Sequence, residues 1–135
     1  MSFTNYLENS VLNHIFGGGD YSRSSTLQIG LSTTSITEDG TNITEPSGGS
    51  YAKVQINNDA NAWENAITDA GSKGKKTNKI EIEFPEATDN WGEIIQFFIT
   101  DGTNVLGYGS LLPPRSILTG DTARFKAGEL VITLD

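Results

Sequence analysis

The chain has 135 residues, 36% hydrophobic and 19% charged, with a net charge of −8 at pH 7 and no cysteine. That length suits one domain with its own core, and the missing cysteines exclude disulfides, thiolate chemistry and cysteine-held metals. The acidic balance argues against nucleic-acid binding, which needs clustered Lys and Arg, and no run of about 18 apolar residues is present to span a membrane.

In chain order, Phe3, Tyr6, Leu7, Val11, Leu12, Ile15 and Phe16 recur at three- and four-residue steps. This spacing predicts an amphipathic helix over residues 1–17, stopped by Gly17-Gly18-Gly19. The segment has no basic stretch ahead of an unbroken apolar one, which predicts no signal peptide. His14 is the only histidine. Near a helix end, without a nucleophile beside it, it reads as structural.

Leu27, Ile29 and Leu31 then alternate with Gln28, Gly30 and Ser32, the pattern of a half-buried strand. In the polar loop that follows, Glu38, Asp39, Asn42 and Glu45 are oxygen donors, but their spacing does not match a calcium-binding loop. The stretch TEPSGGSYAKVQI (44–56) places Gly48-Gly49 where a phosphate-cradling loop is conceivable. A phosphate loop leads into a helix N-terminus, whereas here Ala52, Val54 and Ile56 alternate as in a strand. The glycines therefore read as a tight turn or bulge at the strand entrance, with Pro46 holding Glu45 extended. The Glu45, Pro46, Ser47, Gly48, Gly49 end is a candidate contact surface.

Residues 57–79 read as a polar insertion loop, with one helical turn in AWENAITDA. It ends in GSKGKKTNK, whose Lys73, Lys75, Lys76 and Lys79 have no acid among them. On an acidic body such a loop is either solvated or a dock for an acidic partner. IEIEFP predicts a strand with Ile80, Ile82 and Phe84 inward and Glu81 and Glu83 outward. Those carboxylates lie about 7 Å apart, and simple alternation accounts for them without an acid–base role. The run Ile94 to Ile99 predicts a strand buried on both faces or at an interface. Asp101 to Asn104 turn it into VLGYGSLL. Pro113-Pro114 are expected to break the chain, Ile117-Leu118 to begin a short strand, and Leu130, Ile132 and Leu134 to form the last one.

The sum is a mainly β fold: an antiparallel β-sandwich of about 7–8 strands with one N-terminal amphipathic helix, as a single domain over 1–135. Trp63, Trp91, Tyr51 and Tyr108 are either a glycan-stacking platform or core, with core favoured because aromatics usually bury. No residue constellation calls for a catalytic, metal or cofactor role, so none is expected, nor is an enzyme.

Several stretches occur together in order: TNYLEN, a Gly-rich stop after a Phe, TLQIGLSTT, EPSGGSYAKVQI, IEFPEATDNWGEI, LGYGSLL and GDTARFKAGELVITLD. With them the chain resembles a widespread family of small tailed-bacteriophage virion proteins, often labelled tail-fibre or minor structural proteins, over nearly its whole length. Members typically carry a short Ser/Thr/Asn-rich loop before the IEFP-like strand, and the lysine-rich GSKGKKTNK departs from that. The resemblance implies a virion location after assembly in the cytoplasm of the bacterial host. The partners it implies are other virion proteins, with homo-oligomer formation expected and neither nucleic acid nor membrane. The chain has no repeat and no heptads for a fibre stalk. The leading expectation is therefore a capsid decoration (cement) protein, with a tail-fibre or tail-tip component as the alternative. The expected interface comprises Phe3, Tyr6 and Leu7, the Glu45–Gly49 turn, and Lys73, Lys75 and Lys76.

Overall fold

The computed structural model describes residues 1–135. In chain order they form β1 (Ser2–Phe3), α1 (Asn5–Ile15), β2 (Thr26–Ser32), β3 (Val54–Asn57), β4 (Ile67–Thr68) and β5 (Gly74–Thr77). Then come β6 (Ile82–Glu83), β7 (Gly92–Thr100), β8 (Val105–Ile117), β9 (Arg124–Phe125) and β10 (Val131–Leu134). A five-stranded sheet has the order β1-β8-β7-β2-β3, a three-stranded sheet β10-β5-β4, and β6 pairs with β9. Every pairing is antiparallel.

The period-two pattern does what burial requires. Leu27, Ile29 and Leu31 of β2 and Ile94, Phe97 and Ile99 of β7 share one core cluster with Trp63, Ile82, Phe84, Trp91 and Leu130 from the smaller sheets and loops. The sheets thus enclose a sandwich core. Two cross-strand pairs explain glycines inside strands: Gly30 lies opposite Phe98 and Gly109 opposite Phe97. In each pair the ring occupies the space a Cβ would fill.

The helix is shorter than the spacing predicts. Phe3 belongs to β1, opposite Gly107 of β8, rather than to the helix. Thr4 caps α1, its Oγ1 accepting from the Leu7 N–H at 3.4 Å and donating to the Val105 carbonyl at 2.6 Å. That cap satisfies one of the free amides of the first turn. Gly17, at φ +83°, turns the chain away at the other end.

Pro113 and Pro114 do not end a strand. Ile94 of β7 faces Arg115 and Gln96 faces Ser110, so the two-residue step on β7 is matched by a five-residue step on β8. Leu111–Pro114 bulge out of the ladder, where no backbone N–H is required and proline fits. Ile117 ends β8 instead of starting a strand, and Leu118 lies outside it.

The expected loop over 57–79 holds β4 and β5, and Lys75 and Lys76 sit in β5, paired with Thr133 and Ile132 of β10. The helical turn of this region closes earlier than expected, from the Trp63 N–H to the Asp59 carbonyl at 3.2 Å. Buried Asn78 locks the region to the C-terminal segment. Its Nδ2 donates to the Ile80 and Lys126 carbonyls at 2.8 and 2.9 Å, and its Oδ1 accepts from the Leu130 N–H at 2.9 Å. Three expected inward positions are exposed: Ala52, before β3 starts; Ile80, before β6; and Leu134, at the end of β10.

Candidate functional site

The residues singled out in the sequence fall into three separate places. The first is the N-terminal corner. Phe3 and Leu7 are half-buried, with Leu7 packed against the core, and Tyr6 is exposed. No side chain of α1 is buried. Its most exposed apolar residues are Leu12 at 55%, Ile15 at 62% and, just past its end, Phe16 at 79%. They gather at its C-terminal end. His14 accepts a hydrogen bond at Nδ1 from the Tyr21 N–H at 3.1 Å, which ties down the chain after the glycine stop.

The second place is the 44–56 stretch, which is committed inward. Gly49, at φ +58°, presents its carbonyl to the Trp91 indole N–H at 2.8 Å and to the Thr88 N–H at 3.0 Å. A Cβ there would lie 2.8 Å from the Trp91 nitrogen, so only glycine fits. Glu45 accepts from the Tyr51 hydroxyl at 2.7 Å and faces Lys53 at 3.2 Å. The Leu31 N–H donates to the same hydroxyl at 2.9 Å. Burial pushes the Tyr51 phenol well above the usual tyrosine range, the Leu31 N–H draws it partly back, and Glu45 raises it again. Pro46 is buried, and within the Glu45–Gly49 turn only Ser47 and Gly48 are exposed. Two of the residues weighed as a calcium loop make separate contacts. Asp39 accepts from Asn5 at 2.8 Å and Asn42 donates to the Ser35 carbonyl at 2.7 Å.

The third place holds the lysines, and the strand splits them. Lys75 and Lys76 alternate on opposite faces of β5. Lys76 Nζ donates to the Glu64 carbonyl at 2.8 Å, Lys75 lines a shallow hollow of about 300 Å³ with Ile67 and Thr77, and Lys73 lies 4.0 Å from Asp135. No single cationic surface results. Trp63 and Trp91 are 5% and 4% exposed and form no stacking platform. Tyr51 packs edge-on to Trp91 at 5.2 Å.

One concavity was not marked by any sequence motif. A groove of about 760 Å³ opens between the Leu111–Pro114 bulge and β9. Phe97 and Phe125 line it, rings edge-to-face at 5.1 Å. Arg115, Arg124 and Lys126 also line it, three of the nine cations of an acidic chain. Arg124 reaches Glu81 at 3.3 Å; Arg115 and Lys126 have no ion-pair partner. Asp121 and Glu129 also line it, but one carboxylate oxygen of each accepts a backbone N–H, from Leu118 and Lys126, both at 2.9 Å. The cations are eleven residues apart along the chain at the extremes, Arg115 in β8, Arg124 in β9 and Lys126 just after it. The one local signal was an apolar-proline run ending in arginine, Leu111–Arg115.

No three His, Asp or Glu side chains converge as a metal site, and no helix is long and apolar enough to cross a membrane. A family model described as Podophage GP4 fiber I protein gp80 matches residues 2–133. No curated protein matches the chain.

Proposed function

Because the chain belongs to the podophage GP4 fiber I protein gp80 family, we propose that it is a non-enzymatic component of a bacteriophage tail-fibre apparatus. It would join other tail proteins or contact the host surface, after assembly in the bacterial cytoplasm. The match over residues 2–133 carries this reading, and it favours the tail over the capsid decoration that a compact, repeat-free sequence suggested. Two physical features support a role in assembly. The protein leaves large apolar side chains uncovered on α1 and at Leu112, the latter 90% exposed, and such residues mark protein contacts when grouped. Its polar loops carry no grouped nucleophile and base, and its only histidine is engaged with a backbone amide. A partner in the virion, and further copies of the chain, supply the missing burial.

Quantitative mass spectrometry of purified virions, with antibody labelling in electron micrographs, tests the location. The expected result is label at the tail and a copy number far below that of the major capsid protein, set by the tail's symmetry. Label over the head with copies matching the capsid protein would overturn it in favour of decoration.

A further inference from the structure

An outermost strand points the N–H and C=O of every second residue away from its one neighbour. For β10 the phase is set where the strand begins. The Leu130 carbonyl accepts from the Asn78 N–H at 3.3 Å, so Leu130, Ile132 and Leu134 turn their backbone groups toward the β5 side. Val131 and Thr133 turn theirs outward. The neighbouring strand agrees: Thr77, opposite Val131, sends its carbonyl away from β10 to the Glu64 N–H at 2.9 Å. Since β10 is the end of its sheet, the backbone groups of Val131 and Thr133 have no partner in the chain.

Open groups on either side of one central residue complement themselves. With two β10 strands antiparallel and Ile132 opposite Ile132, Val131 of each copy faces Thr133 of the other. Every open N–H then meets an open carbonyl, and none is left over. This register also keeps the faces in step, as cross-strand neighbours require. Ile132, which packs on the core, meets its own equivalent, and Leu134, 54% exposed, comes to the seam on the same face. Val131–Leu134 carries no charge, proline or bulge of the kind that guards an open edge. The flanking acids are engaged at home, Asp135 facing Lys73 at 4.0 Å and Glu129 accepting from the Lys126 N–H at 2.9 Å. The other outer strand of this length, β3, is a poorer edge. Gln55 and Asn57 are exposed and polar, Lys53 stands just before it, and its Ile56 is only 6% exposed. Strands β1 and β4 are two residues long.

We propose that β10 of one copy pairs antiparallel with β10 of a second, about a two-fold axis at Ile132, joining the β10-β5-β4 sheets of both into one. The same patch serves on both copies, so the contact closes as a dimer. The inference rests on the virion reading for its setting and makes one neighbour in the particle the chain itself. It is tested on the purified chain, so its failure leaves the tail location standing, and label over the head would leave the pairing standing.

A ladder this short is a weak contact in dilute solution, so amide hydrogen exchange by nuclear magnetic resonance is followed as the protein is concentrated to about 1 mM. In the dilute protein the Val131 and Thr133 amides should exchange fast beside a protected Ile132. Concentration should slow those two at least about 10-fold while sedimentation reports a dimer. Thr133→Pro removes an N–H that points away from β5, so the sheet keeps its ladder, circular dichroism should be unchanged, and the dimer should be lost. Gln55→Pro, the same change on the β3 edge, should leave the dimer intact. A wild type that stays monomeric at about 1 mM, or a dimer whose Val131 and Thr133 amides stay unprotected, overturns the proposal without recourse to any variant. Retention of the dimer in Thr133→Pro, or its loss in Gln55→Pro, overturns it as well.

Discussion

Replacing Trp63 and Trp91 by phenylalanine, one at a time, puts the hydrogen-bond accounting of the core to a direct test. Both rings are about equally buried, at 5% and 4% exposure, so the lost apolar contact and the space left behind are similar at the two sites and largely cancel in a comparison. The indole nitrogens differ. Trp91 donates to Gly49 at 2.8 Å, whereas the Trp63 N–H is buried without a partner. Losing the first bond costs about 1 kcal/mol, while removing the unpaired donor at the second site relieves roughly 1–3 kcal/mol of desolvation. Trp91→Phe should therefore destabilise the protein by about 2–4 kcal/mol more than Trp63→Phe. The low end is favoured because the Gly49 carbonyl keeps the Thr88 N–H. Urea unfolding followed by far-ultraviolet circular dichroism gives both values, with equal slopes required for the comparison. Equal losses, or a larger loss at Trp63, would refute the assignment of the Trp91–Gly49 bond as the difference between the two sites.

Gly30→Ala sets a methyl against the Phe98 ring and should cost about 1–3 kcal/mol in the same assay; a neutral result would mean that the ring has room to move. Asn78→Ala removes three side-chain bonds at a buried position and leaves backbone groups unpaired, so a loss of about 3 kcal/mol or more is expected. A change under about 1 kcal/mol would show that water replaces the amide. Alkaline pH should weaken the fold through Tyr51. Its folded-state pKa is raised above 10.0 by burial, so above that pH the unfolded chain sheds the phenol proton while the folded one holds it. Rising pH then favours unfolding. Midpoints measured from pH 8 to about pH 11 should fall more steeply for the wild type than for Tyr51→Phe; parallel curves would contradict this.

Strands that bury alternate side chains could be read from residue order alone. Leu27, Ile29 and Leu31 occupy their expected face, and the dense run of β7 is the centre of its sheet. The strands that could not be read are those whose side chains carry no apolar pattern. GKKT becomes β5 because β10 and β4 satisfy its backbone on both sides, a long-range cause invisible in a polar segment. The prolines of β8 misled for the opposite reason: their local rule holds, but a bulge removes the need for the missing N–H. Exposure at the expected contact residues divides in the same way: Leu7 faces the body, and the more exposed apolar side chains of α1 lie at its far end. The Glu45–Gly49 turn is spent on holding Tyr51 and Trp91. The groove cations required the fold to assemble them.

A consequence follows from α1 having eleven residues and no buried side chain. Isolated helices of that length are marginal in water, so this one borrows its order from the Thr4 cap and the partial cover of Leu7. In the free chain its amides should therefore exchange with solvent deuterium through local opening, well before those of β7. Whatever covers its exposed apolar residues in the particle would slow that exchange, so the protection of a single helix becomes a gauge of whether the protein is alone or assembled.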